Sequence, residues 1–187
     1  MNIGGIEIGA GQPCRCVAEI SNNHNGDLDR ARHLISAAKE AGADFVKFQC
    51  FLPSELVALR GDGPAPEPWG SQGWTMRALY EKAQTSHAWF PALVAHCEAM
   101  GIPWFSSVFG LESLALLESI GCPCYKIAAL DNQRDDLRAA ALGTGKPVLV
   151  SVRSYDALYK VHAQLLCPPG YPAHAENVRL PRDFFKA

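Results

Sequence analysis

Glu19, Lys47, Gln49, Lys126 and Ser151 sit late in otherwise apolar runs, "CVAEI", "FVKFQC", "CYKIA" and "VLVSV". An ammonium group inside an apolar strand is costly to bury without a partner. Lys47 and Lys126 therefore want an anion. A phosphate or carboxylate guest held by both lysines and by serine hydroxyls would supply it through charge-assisted hydrogen bonds. Glu19 is then left as a proton acceptor or donor. Ser106 and Ser107 in "WFSSVF" extend the set, as does Arg153, whose guanidinium fork suits phosphate and carboxylate alike. Two plainer readings stand beside this one. A lysine pairs with Glu19 inside the sheet as a structural ion pair, and the serines are core hydroxyls bonded to backbone.

The stretch "AEISNNHNGD" concentrates a carboxylate, three amides and an imidazole at the end of the first apolar run. His24 reads either as a metal ligand or as a hydrogen-bonding loop residue. Asn22, Asn23 and Asn25 suit capping and turning, and Gly26 suits a positive φ. Cys14-x-Cys16 and Cys122-Pro-Cys124 have the look of zinc half-sites, but both fall at strand beginnings. His33, His96, His162 and His174 form no convincing ligand pair. No residue is assigned to a metal.

Positioning such residues requires strands and helices in alternation. Short, wholly apolar runs at Cys16–Ile20, Phe45–Cys50, Trp104–Phe109, Tyr125–Ala129, Val148–Val152 and, weakly, Gln164–Cys167 read as parallel strands covered on both faces. Helical patterns lie at Leu28–Ala41, Thr75–Lys82, His87–Met100, Leu111–Ile120, Asp135–Leu142 and Tyr155–Ala163. Asp27 is a natural N-cap and Gly42 a natural stop. Strand, helix and strand in repetition predict right-handed βαβ units on a parallel sheet, whose active site gathers at the carboxyl ends of the strands. "IGGIEIGAGQP" predicts a hairpin plugging one end, and Leu52–Gly73, rich in proline and glycine, predicts a long loop.

A complete eight-unit barrel takes about 250 residues. The expected architecture is therefore α/β: an incomplete, TIM-barrel-like parallel sheet of about six βα units with an N-terminal β-hairpin, forming one domain over residues 1–187. An open sheet edge presents unpaired backbone groups. A homo-oligomer or a partner chain is expected to cover it.

Net charge of -2, with Lys and Arg scattered, gives no footprint for nucleic acid or an anionic membrane. Small anionic molecules are the expected partners. No apolar run reaches the roughly 18 residues of a membrane span, the start lacks a secretory pattern, and seven cysteines fit reduced thiols, so a cytoplasmic location is expected.

Taken in order, "VAEISNNHNGDLDRARHLISAAKEAGADFVKFQ", "GIPWFSSVF", "CYKIAAL", "GKPVLVS" and "YPAHAENVRL" resemble the sialic acid synthase family, which condenses phosphoenolpyruvate with an amino sugar. The resemblance implies a TIM barrel, a divalent cation such as manganese that activates the sugar aldehyde, and a glutamate, here Glu19, near the reacting carbon. It further implies phosphoenolpyruvate held by Lys47 and Lys126, a phosphate contact from Ser151, and Tyr171 near the sugar. The chain departs from the family pattern at Ala129, at "SVR" in place of "STG", and at "LLCPPGYP", where Pro169 replaces an asparagine. The family's metal-binding histidines lie on later strands, followed by an antifreeze-like domain; neither is expected in this chain. Three functions are thereby open: a synthase-like enzyme condensing an anionic guest with a sugar aldehyde, a metal-independent Schiff-base aldolase using Lys126 or Lys47, and a non-catalytic binding or partner subunit.

Overall fold

The computed structural model describes residues 1–152 and 161–167; Arg153 and Tyr171 lie outside them. Six parallel strands, β3 (Val17–Glu19), β4 (Phe45–Cys50), β5 (Trp104–Val108), β6 (Tyr125–Ile127), β7 (Val148–Val152) and β8 (Ala163–Leu166), hydrogen-bond in sequence order into one curled sheet, half of a barrel. An antiparallel hairpin of β1 (Asn2–Ile3) and β2 (Ile6–Glu7) precedes them. The helices are α1 (Leu28–Glu40), α2 (Pro53–Arg60), α3 (Met76–Ala83), α4 (Phe90–Met100), α5 (Leu111–Ser119) and α6 (Asp135–Gly143).

Local chemistry sets these boundaries. Asp27 caps α1, its carboxylate accepting from the backbone N–H groups of Asp29 at 2.8 Å and Arg30 at 3.1 Å. After the helix the chain turns through Gly42 at φ +85°, a conformation costly for a side chain-bearing residue. Along the strands alternate residues face opposite sides. Val46, Phe48, Trp104, Val108, Tyr125, Ile127, Val148 and Val150 pack under the helices with Ala31, Ile35, Leu93 and Leu117. On the other side, Phe45, Phe105, Cys124 and Leu149 form a second apolar cluster closed by Ile3 of the hairpin. That cluster is the floor of the half-barrel, and the hairpin plugs its amino-terminal end.

Two expectations are corrected. The segment Leu52–Gly73 is not a continuous loop, because Pro53 starts a helix at its first position and Glu55 bonds back to the Leu52 N–H at 3.0 Å. Its four apolar residues, Leu56 to Leu59, run consecutively in a short helix that opens on proline and stops at Gly61, and so leave little periodicity to read. Ala163, expected to end a helix, instead opens β8 opposite Leu149.

Candidate functional site

The floor residues locate the site. Two residues after each of Phe45, Phe105, Cys124 and Leu149 come Lys47, Ser107, Lys126 and Ser151, so the period-two pleat lifts these four polar groups onto the same inner face, one layer above the apolar floor. The register agrees. Glu19 lies opposite Lys47 across β3 and β4, and Gln49, Ser107, Lys126 and Leu149 form one row across four strands. The sheet thus brings together Glu19, Lys47, Gln49, Lys126 and Ser151.

Ser106 is the exception. It pairs in register with Phe48 and Tyr125 on the helix-covered face, is wholly buried, and donates its hydroxyl to the Ser107 carbonyl at 2.9 Å. Its neighbour Ser107 is the serine of the inner face, accepting from Lys47 Nζ at 3.2 Å. Adjacent serines in one strand point to opposite faces, and only the register decides between them.

Lys47 and Glu19 form an ion pair, with the lysine side chain 12% and the glutamate 40% exposed. For Lys47 the structure follows the plainer of the two readings, a lysine paired with Glu19, and Glu19 is not a free carboxylate. Lys126, half-buried, makes no hydrogen bond or ion pair among the described residues. Burial, then the neighbouring Lys47 charge, hold its amine below the ordinary lysine range, partly opposed by Cys167, Glu19 and Asp131. Ser151 is also unsatisfied: its hydroxyl is buried without a hydrogen-bond partner among the described residues. A cation short of an anion and a hydroxyl short of a partner share one face.

Sequence reasoning did not find the groups that brace this rim. Arg60, at the end of α2, grips both carboxylate oxygens of the wholly buried Asp131 at 2.9 and 2.8 Å, and its guanidinium lies 6.0 Å from the Phe109 ring centre. Glu55 accepts from the backbone N–H groups of Glu112 and Ser113 at 3.0 and 3.1 Å, tying α2 to the first turn of α5. Asn132 donates to the Ser151 carbonyl at 3.2 Å. A single Asp or Arg carries no sequence signal for such pairings, of which Arg60–Asp131 joins residues 71 positions apart.

His24 belongs to the plainer reading. It is buried, its Nδ1 accepts the Gly26 N–H at 3.0 Å, and its Nε2 lies 3.1 Å from Thr85 Oγ1, so both ring nitrogens are engaged. Burial lowers its pKa. Cys14 and Cys16 are exposed, whereas Cys122 and Cys124 are buried, and desolvation pushes the Cys122 thiol up to about 12. Among the described residues no group of three or more His, Cys, Asp or Glu is arranged to hold a metal ion. The described residues do not fit the manganese site that the resemblance implies. No described helix is long and apolar enough to cross a membrane.

Such a curled parallel sheet, with Lys47 and Lys126 on its inner face, defines a barrel-type α/β protein. The chain belongs to the NeuB family, whose model matches residues 34–182. It is 40% identical to pseudaminic acid synthase of Helicobacter pylori over 145 residues, covering 75% of this chain and 42% of that protein. It is 30% identical to N-acetylneuraminate-9-phosphate synthase of Homo sapiens over 190 residues, covering 92% and 52%. Among solved structures, N-acetylneuraminic acid synthetase from Leptospira borgpetersenii, in complex with citrate, superposes with a TM-score of 0.76 at 26% identity, covering 94% of this chain and 61% of that one. The chain spans about half the length of the curated relatives it matches.

Proposed function

We propose that this chain carries the anion-binding rim of a sialic acid synthase-like enzyme, which binds phosphoenolpyruvate or a similar anionic small molecule and condenses it with a sugar aldehyde. The observation that carries the reading is Lys126, a half-buried ammonium with no counter-ion among the described residues, on the same inner face as Lys47 and the unsatisfied Ser151 hydroxyl. A phosphate or carboxylate there would meet both needs at once. The relatives support the substrate class: the synthases named above make sialic-type sugar acids, and the Leptospira protein holds citrate, itself an anion.

In this reading Lys126 and Ser151 hold the anionic group, Gln49 and Ser107 line the row beside it, and Lys47 divides its charge between the guest and Glu19. Arg153 and Tyr171 are further proposed contacts from the segments after β7 and β8. When the guest draws Lys47 away, the Glu19 carboxylate becomes available to accept a proton from the water that adds to C2 of phosphoenolpyruvate, while the aldehyde oxygen takes up a proton as the carbon–carbon bond forms and phosphate then leaves. The test is calorimetric titration of phosphoenolpyruvate, with and without manganese, into wild type, Lys47→Ala and Lys126→Ala. Saturable binding lost in Lys126→Ala is expected. Equal heats in all three proteins would remove the anion site.

A second reading has one specific support, the depressed amine of Lys126. A neutral amine can attack a carbonyl carbon and, with loss of water, leave a Schiff base. Borohydride added with pyruvate would then leave a stable secondary amine on Lys126, detected as added mass. An unchanged mass eliminates this reading without touching the first.

A further inference from the structure

The seven cysteines divide by environment. Cys50, Cys97, Cys122 and Cys124 are buried, and desolvation pushes the thiols of the first three up to about 12. Thiols of this kind stay protonated and inert. Cys122 and Cys124 also spend their S–H groups on the backbone, toward the Cys124 and Tyr125 carbonyls at 3.2 and 3.8 Å. Of the two Cys-x-Cys pairs, that one is structural. Cys14 and Cys16 differ: both are exposed, and neither sulfur makes a hydrogen bond among the described residues.

The stretch that carries them is fixed. Arg15 turns inward, its Nη1 donating to Asp44 Oδ1 at 3.0 Å, while Asp44 Oδ2 accepts the Cys16 N–H at 2.7 Å. The Cys16 carbonyl accepts from the Asp44 and Phe45 N–H groups at 2.9 and 3.2 Å, which leads the chain into β3. With Arg15 half-buried between two exposed neighbours, the stretch alternates as an extended chain does, which puts both thiols on one side. Arg15 Nε is buried without a hydrogen-bond partner among the described residues. Two thiols on a pinned backbone thus flank a cation with a donor to spare.

Geometry decides what the pair can hold. Residues i and i+2 of an extended chain stand about 6.6 Å apart with parallel Cα–Cβ bonds, whereas a disulfide wants Cβ atoms within about 4.5 Å. A direct S–S bond is disfavoured. An ion set between the sulfurs is not, because two bonds of about 2.3 Å in line span about 4.6 Å, which an inward lean of both side chains supplies. Donor count then selects the ion. Zinc closes a tetrahedron of ligands, and among the described residues no group of three or more His, Cys, Asp or Glu is arranged to supply one. Copper(I) is soft, prefers thiolate, and is satisfied by two in line.

We propose that Cys14 and Cys16 form a two-coordinate copper(I) clamp at the amino-terminal end of β3, away from the lysine rim. Two thiols release their protons to solvent and the monovalent ion joins two thiolates, leaving one net negative charge next to the Arg15 guanidinium in the chain. No electron is transferred. The clamp shares no residue with the rim and does not depend on the anion reading above.

The test is an anaerobic competition between the reduced full chain and bicinchoninate for copper(I), read from the colour of the bicinchoninate complex. One equivalent of copper should pass to wild type. Cys14→Ser and Cys16→Ser should each lose at least ~100-fold in affinity, because two donors joined on one chain exceed either alone by that much or more. Both positions are exposed, so neither variant should shift the copper-free thermal midpoint. Cys167→Ser, beyond β8 at the opposite end of the parallel sheet, and Lys126→Met should bind copper as wild type does. X-ray absorption of the loaded chain should show two sulfur neighbours and no more. Copper left with bicinchoninate by wild type, affinity retained in either Cys14→Ser or Cys16→Ser, dependence on Cys167, or a centre with three or four neighbours would each overturn the proposal.

Discussion

Lys47 and Glu19 stand directly opposite each other across β3 and β4 and close into an ion pair, while Lys126, two strands away on the same inner face, has no counter-charge among the described residues. The asymmetry assigns the two lysines different work. Lys47 is already compensated and can exchange partners, whereas Lys126 bears an uncompensated cost that a bound anion would relieve.

Replacing Lys126 by Met should therefore separate binding from folding. Phosphoenolpyruvate affinity should fall at least ~10-fold, while the thermal midpoint holds or rises because an unpaired, partly desolvated charge has gone. Calorimetry and thermal unfolding on the same preparation give both numbers. A midpoint lowered by several degrees would mean that Lys126 supports the fold through contacts other than its charge.

Proton linkage provides an independent check. The folded protein holds the Lys126 pKa below its ordinary value of 10.5, so as pH rises the folded state releases this proton before the unfolded state does. Its contribution to stability is thus unfavourable at neutral pH and is relieved as pH climbs through the folded value. A bound anion reverses the sign by favouring the ammonium form. Titrations at alkaline pH in buffers of different ionisation heat should show proton uptake on phosphoenolpyruvate binding, and this uptake should vanish in Lys126→Met.

Glu19→Gln should do the opposite of a lysine deletion. Removing the carboxylate frees Lys47, so anion affinity should rise by a few-fold. Stability should change by no more than ~1 kcal/mol, since the Glu19 side chain is 40% exposed and such pairs contribute little. Condensation activity, followed by phosphate release from phosphoenolpyruvate, should be lost if Glu19 accepts the proton. Weaker anion binding in this variant would show that the pair itself builds the site.

His24 predicts an acid limit. Its folded-state pKa is lowered from 6.5 by burial, so the neutral ring is favoured in the folded chain and the unfolded chain takes up the proton first. Stability from this group is present above about pH 6.5 and declines as pH falls from there toward the folded value. Urea titrations at pH 7.5 and 5.5 should show a wild-type loss that is smaller in His24→Gln, a variant that also costs stability by disturbing the bonds to Gly26 and Thr85.

Much of this site was legible because the strands are apolar throughout and a lysine in such a run has few reasons to be there. Phe45–Cys50 and Val148–Val152 have the predicted limits, and Asp27 caps the helix it was expected to cap. What the sequence does not encode locally is which side of a strand faces inward. Ser106 and Ser107 are chemically identical, and only the packing of Phe105 on the hairpin floor settles that Ser107 shares a face with the lysines. Nor does any local pattern decide which of the two lysines holds Glu19, and it is Lys47, 28 positions away. The helix α2 was hidden by its own flanks, proline before and glycine after, though Pro53 at its first position and Glu55 at its third are start signals of a kind.

That helix ends in the strongest test of how the rim is held. Asp131 has a side chain with no exposure, both of its carboxylate oxygens held by Nη2 of the Arg60 guanidinium, which is 27% exposed. Breaking a buried pair by removing one partner leaves the other charge stranded, at a cost of about 3–5 kcal/mol, whereas replacing both partners together is far milder. Arg60→Met should accordingly be severely destabilising, Asp131→Asn clearly less so because the amide can still bond the guanidinium, and the double variant Arg60→Met/Asp131→Asn more stable than Arg60→Met alone. Denaturant titrations of the four proteins close the cycle. Arg60→Met should also weaken anion binding more than its instability explains, because an unpaired Asp131 carboxylate would compete for Lys126, on which its charge already acts. In the double variant the competing charge is gone and affinity should return toward wild type; affinity that stays low there would mean that α2 shapes the rim by packing, not by keeping Asp131 occupied.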